Sequence, residues 1–102
     1  MVIGDKILSF DFPIKEHLLI DGVLVILLET PSRVVLNENV YGIDVDSKQV
    51  KWQIQKQEYT DTECPYIALN LIEGELTLVN WCSFYAIVQP ANGEILASGF
   101  TK

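Results

Sequence analysis

The sequence predicts an all-β fold: antiparallel strands in two four-stranded sheets, packed as a compact sandwich or partial barrel. Three observations carry that reading. Apolar and polar residues alternate in short runs along nearly the whole chain, the period-2 signature of half-buried strands. The runs are separated by turn dipeptides, Asp21-Gly22, Glu73-Gly74 and Asn92-Gly93, of the kind that tight hairpins need. No helical periodicity longer than one turn occurs. With 102 residues, 49% of them hydrophobic, the chain can enclose one core and is too apolar for disorder. Residues 1–102 are therefore expected to form a single domain.

Residues 6–12 alternate Leu8, Phe10 and Phe12 with Ser9 and Asp11, a strand ended by Pro13, which has no amide hydrogen for a ladder. Residues 14–16 connect it to a hairpin whose arms, 17–20 and 23–29, flank Asp21-Gly22. The returning arm begins Val-Leu-Val-Ile-Leu-Leu. Being apolar on both faces, it belongs at the centre of a sheet covered on both sides. Residues 30–38, with Pro31, Ser32 and Asn37, read as a loop. In the next hairpin Tyr41, Ile43 and Val45 alternate with Gly42, Asp44 and Asp46; after a turn at residues 46–49, Val50, Trp52 and Ile54 form the apolar face of the return. That face is expected to pack against residues 23–28. A polar stretch, 57–65, leads to two further hairpins: 66–72 with 75–81, and 83–89 with 94–100.

The two halves, residues about 6–56 and 66–101, repeat one another. Leu19-Ile20-Asp21-Gly22-Val23-Leu24 aligns with Leu71-Ile72-Glu73-Gly74-Glu75-Leu76, and Tyr41-Gly42-Ile43 with Tyr85-Ala86-Ile87. The segment from Val40 to Trp52 resembles the blade signature of quinoprotein-type β-propellers, in which a strand ending in Ala-Leu-Asp meets a Thr-Gly-Lys turn and a Trp that docks on the next blade. Gly42-Ile43-Asp44 and Trp52 fit the pattern; Ser47-Lys48 departs from Thr-Gly, and Val88 and Ala97 stand where the second repeat would have Asp and Trp. The resemblance implies two degenerate, propeller-blade-like sheets. The chain is also similar to small uncharacterised bacterial all-β proteins, through Asn39-Val40-Tyr41, Trp52-Gln53-Ile54, Asn80-Trp81 and Phe100-Thr101-Lys102. That similarity implies no activity. Propellers close with at least four blades. Two blades must therefore pack on each other as a sandwich, the expectation here, or assemble from several chains into a ring.

Composition narrows the function classes. Seven Lys and Arg against fourteen Asp and Glu give a net charge of −7, and the longest basic concentration, Lys48, Lys51 and Lys56, is sparse and flanked by Asp44, Asp46 and Glu58. Nucleic acid and anionic membrane surfaces are poor partners for such a chain. No apolar run reaches the roughly 20 residues of a membrane-spanning helix, and the N-terminal residues lack a signal-peptide pattern. A cytoplasmic location is expected. In a reducing compartment Cys64 and Cys82 are then expected as free thiols.

No catalytic constellation emerges. His17, the one histidine, has no nucleophile motif beside it and reads as an edge-strand residue. His17, Cys64 and Cys82 are too few and too scattered for zinc, and the chain has no calcium loop and no phosphate-binding glycine loop. No cofactor or metal is expected, and no enzymatic activity. The residues left as a candidate interaction patch are Tyr59, Tyr66 and Trp81, aromatics in or beside acidic loops, with Asp44 and Asp46 two apart on one strand face. The expectation is a non-enzymatic protein-interaction module whose partner is another protein, basic or offering a strand, with homo-oligomers open. A carbohydrate- or ligand-binding ring of two-blade chains is the alternative.

Overall fold

The structure, a computed structural model, describes residues 2–3, 6–7, 9–31, 35–57 and 63–100. Among the described residues ten strands follow in chain order. A short antiparallel pair, β1 (Val2–Ile3) and β2 (Lys6–Ile7), precedes two four-stranded antiparallel meanders. The first runs β3 (Ile14–Ile20), β4 (Val23–Leu28), β5 (Val40–Asp44) and β6 (Gln49–Gln53), each strand beside the next. The second, β7 (Tyr66–Ile72), β8 (Glu75–Asn80), β9 (Phe84–Val88) and β10 (Ile95–Phe100), has the same order. The sheets lie face to face, with β7 against β3 and β4, and do not close into a barrel. Of the compact sandwich and the partial barrel that the sequence predicts, the sandwich is the one observed.

Turn chemistry sets the hairpins. Asp21 and Gly22 have φ of 51° and 74°, and Glu73 and Gly74 have 52° and 81°, so both turns place two successive residues in the left-handed region, matching the right-handed twist of the strands they join. The β9–β10 loop closes through Gly93 N–H to Gln89 O at 2.8 Å, with Gly93 at φ 75°.

Alternation along β4 explains the two cores. Val23, Val25 and Leu27 point into the space between the sheets, where they join Val40, Trp52 and Ile54 and meet Tyr66, Leu76, Leu78, Ala86 and Val88 of the second sheet. Ile26 and Leu28 point the other way. With Ile43 they form a smaller cluster on the outer face of the first sheet, covered by Phe10, Phe12, Ile14 and Tyr41. Phe10 and Tyr41 have ring centroids 5.2 Å apart. The expected doubly covered central strand is therefore present.

Three details differ from the sequence reading. Phe10 and Phe12 lie outside any strand. Their alternation serves to lay two aromatic rings on the first sheet. The strand begins only after Pro13, so Ile14 to Glu16, expected as a connector, is the start of β3. The third difference concerns the hairpin of β5 and β6. Gly42 pairs with Trp52 but Ile43 pairs with Val50, so Lys51 is an extra residue, a β-bulge. A one-residue shift exchanges faces. Trp52 and Ile54 consequently face the inter-sheet core, whereas Val50 lies opposite the outer-face residue Ile43 and is 47% exposed.

Trp52 is the main link between the sheets at the β6 side. Its indole covers Gly42 on the neighbouring strand and Gly93 in the β9–β10 loop: a Cβ at Gly93 would come within 2.6 Å of the ring, and one at Gly42 would overlap it. Its Nε1 donates to Pro90 O at 2.7 Å.

Candidate functional site

Leu28 at the end of β4, the loop entering β7 and the β8–β9 turn meet at one end of the sandwich. Buried asparagines organise this end. Asn39 Nδ2 donates to Leu28 O at 2.8 Å and Tyr66 O at 2.9 Å, while its Oδ1 accepts from Tyr66 N at 2.9 Å. A side-chain amide has the same donor and acceptor as a peptide group. Asn39 thus bridges β4 to β7 where no strand does. Asn37 Oδ1 accepts from Cys64 N at 2.8 Å, and Asn80 Oδ1 accepts from Cys82 N at 3.0 Å and Phe84 N at 2.9 Å.

Cys64 and Cys82 form a disulfide, with Cα atoms 5.4 Å apart. This corrects the expectation of two free thiols, which rested on an assumed reducing compartment. Geometry was decisive: Cys64 lies two residues before the start of β7 and Cys82 in the turn after its partner β8, so strand pairing brings them together. The bond spans a sequence separation of 18, for which loop-closure entropy gives about 3 kcal/mol. Reduction with a dithiol is expected to lower the melting temperature by more than ~10 °C, since ~1 kcal/mol moves a domain of this size by roughly 4–8 °C. Thermal denaturation with and without reductant measures it.

The β8–β9 turn is held by that bond, by Asn80, and by Trp81 N–H donating to Pro65 O at 2.9 Å. Trp81 itself is 69% exposed. It borders a groove of about 190 Å³ lined also by Lys15 from β3, Glu29 and Thr30 after β4, and Glu63, Pro65 and Ile67 around the start of β7. Two acids face one base there. Tyr66 lies at the floor, buried in the inter-sheet core.

Tyr66 and Trp81 therefore line the same groove, but only Trp81 is exposed; Tyr66, expected as part of an exposed patch, is a core residue because its ring packs between the sheets. Asp44 and Asp46 are not with them. Asp44 pairs with Val23, at the end of β4 opposite to Leu28, which lines the groove. Five residues of extended strand, about 17 Å, separate the two places. Asp44 is also engaged locally, where its carboxylate accepts from the Ser47 side chain and from Asp46 N, contacts that hold its pKa below the ordinary value. Tyr59 lies outside the described residues. The groove residues missed by sequence, Lys15, Glu29 and Glu63, come from three distant segments, and only the pairing of the sheets reveals their proximity. Among the described residues no group of three His, Cys, Asp or Glu could hold a metal ion.

A family model matches residues 1–100. The chain belongs to DUF7957, a domain of unknown function. In this DUF7957 chain the match spans both sheets and the groove between them. No curated protein matches the sequence. No helix among the described residues is long and apolar enough to cross a membrane.

Proposed function

We propose that this chain is a non-enzymatic protein-interaction module that receives a basic side chain of an extended partner segment in the groove beside Trp81. The observation that carries the reading is Trp81: a large aromatic left 69% exposed on a turn fixed by a disulfide and by backbone hydrogen bonds. Such rigid, exposed aromatics act as binding anchors because little conformational freedom is lost when they are covered. The groove's volume of about 190 Å³ is below the roughly 300–1,000 Å³ of pockets that enclose small molecules. It suits one side chain. An indole face attracts a guanidinium or ammonium, and the surplus of Glu29 and Glu63 over Lys15 adds to that preference, as does the net charge of −7.

Titrating the protein with arginine-containing, neutral and acidic peptides, followed by calorimetry, tests this. Arginine peptides should bind most tightly, and more weakly at high salt. Trp81→Ala should weaken them about 30-fold, a loss of ~2 kcal/mol, while the melting temperature stays within a few degrees. Equal binding of all three peptide classes, or binding indifferent to Trp81→Ala, would overturn the proposal.

The exposed Trp81 also favours a second reading, stacking on a sugar ring. Glycan-array binding lost in Trp81→Ala, without peptide binding, would put that reading first. For the fold, Trp52 seated on the β9–β10 loop of the other sheet supports the reading of two degenerate propeller-type blades. For the compartment, the disulfide supports an oxidising setting over the cytoplasmic one. Alkylation of the protein in its native cells distinguishes the two.

A further inference from the structure

We infer that the free edge of β10 is a self-association surface that pairs antiparallel with β10 of a second copy of this chain. In the two four-stranded sheets, four strands stand at the edges: β3, β6, β7 and β10. Three are protected. β3 carries Lys15, Glu16 and His17, charges or polar groups that disfavour a further strand. β6 contains the bulged Lys51. β7 lies against β3, and Glu16 Oε1 accepts from Leu69 N at 2.9 Å, so part of its edge is occupied within the chain. The fourth, β10, is Ile-Leu-Ala-Ser-Gly-Phe, with no charge and no proline. Among the described residues no strand pairs with its outer side. Its irregularity is confined to Ile95–Ala97, next to the hairpin loop, and from Ala97 to Phe100 the register against β9 is regular. Leu96 and Phe100 are 57% and 67% exposed along this edge, and Phe100 stacks on Phe84 with centroids 4.1 Å apart.

Charge selects the occupant. Two copies each carrying −7 repel over most of their surfaces, yet β9 and β10 together contain no Asp, Glu, Lys, Arg or His. This is the side on which like molecules can meet without apposing charges. A basic partner is drawn instead to the acidic surface elsewhere. Antiparallel pairing of a strand with its own copy is two-fold symmetric, so it joins both edges at once and closes the assembly at two chains. The result is a continuous eight-stranded sheet. Because the contact itself is uncharged while the two bodies repel, the association should strengthen with salt, the reverse of the salt dependence of the groove.

Sedimentation equilibrium over protein concentrations from low micromolar to millimolar, at low and high salt, tests the inference. The mass should rise from 11.5 kDa towards twice that value, at lower concentration in high salt. Leu96→Lys combined with Ser98→Lys should hold the chain as a monomer, whereas Val50→Lys on the β6 edge should leave the dimer unchanged. Hydrogen exchange on the unaltered chain gives a readout independent of whether the variants fold: amide protection along residues 96–100 should increase with concentration. A mass of 11.5 kDa throughout, a dimer that persists in the double variant or is lost in Val50→Lys, or concentration-independent protection of β10 would each overturn it.

Discussion

Trp52→Ala is expected to destabilise the domain by about 3–5 kcal/mol, from lost transfer free energy and the cavity left between the sheets. The residue is 7% exposed, and its ring fills the space between Gly42 of its own sheet and Gly93 of the other. The substitution also removes the hydrogen bond to Pro90 O. Against a typical total of roughly 5–15 kcal/mol, the variant will melt far below the parent or fail to fold. Gly93→Ala probes the same contact from the opposite side. It adds a Cβ against the indole at a residue with φ of 75°, where a side chain is strained whatever the space. Lys51→Ala, on the exposed bulge of the same strand, should change stability by only about 0.5 kcal/mol. Chemical denaturation of the three variants gives the comparison. If Trp52→Ala melts with the parent, the docking of the first sheet on the second is not what holds the sandwich.

How far the sequence foretells this architecture depends on where each determinant is encoded. Hairpin turns are local: Asp21-Gly22, Glu73-Gly74 and Asn92-Gly93 announce themselves because left-handed backbone selects residue types. The doubly buried β4 is equally legible, since six consecutive apolar residues leave no polar face. The bulge at Lys51 is not. Ideal alternation placed Val50 with Trp52, and the extra residue that separates them shows only in the pairing with β5. The buried asparagines are not legible either: Asn is a residue type common in exposed turns, yet Asn37, Asn39 and Asn80 are all buried and bond backbone groups. The candidate site divides in the same way. Trp81 and Tyr66 could be picked out as aromatics beside acidic loops, but the aspartates grouped with them lie a strand length away, where Asp44 closes its own turn.

Asn39 gives the second large effect and isolates polar order from hydrophobic packing. Its side chain is 0% exposed and makes three hydrogen bonds to the backbone of β4 and β7. Asn39→Ala removes all three. Each buried backbone group deprived of a partner costs about 1–3 kcal/mol, so a loss of roughly 3–5 kcal/mol is expected. Asn39→Asp separates shape from chemistry. It keeps an acceptor for Tyr66 N but turns a second oxygen toward the carbonyls of Leu28 and Tyr66, where Asn39 presents a donor. Burial and those carbonyl oxygens disfavour the carboxylate, so the folded-state pKa of the new acid must rise above its unfolded value of ~3.9. With a raised pKa, the protonated acid donates to one carbonyl and the variant is least impaired below pH ~4. As pH rises above that value the unfolded chain ionises freely while the folded one does not, and the deficit relative to the parent grows until the folded-state pKa is passed. Denaturation midpoints of parent and variant across pH 3–8 should therefore diverge with increasing pH. A constant difference would mean that water reaches Asn39 and that the junction between the sheets is open at this end.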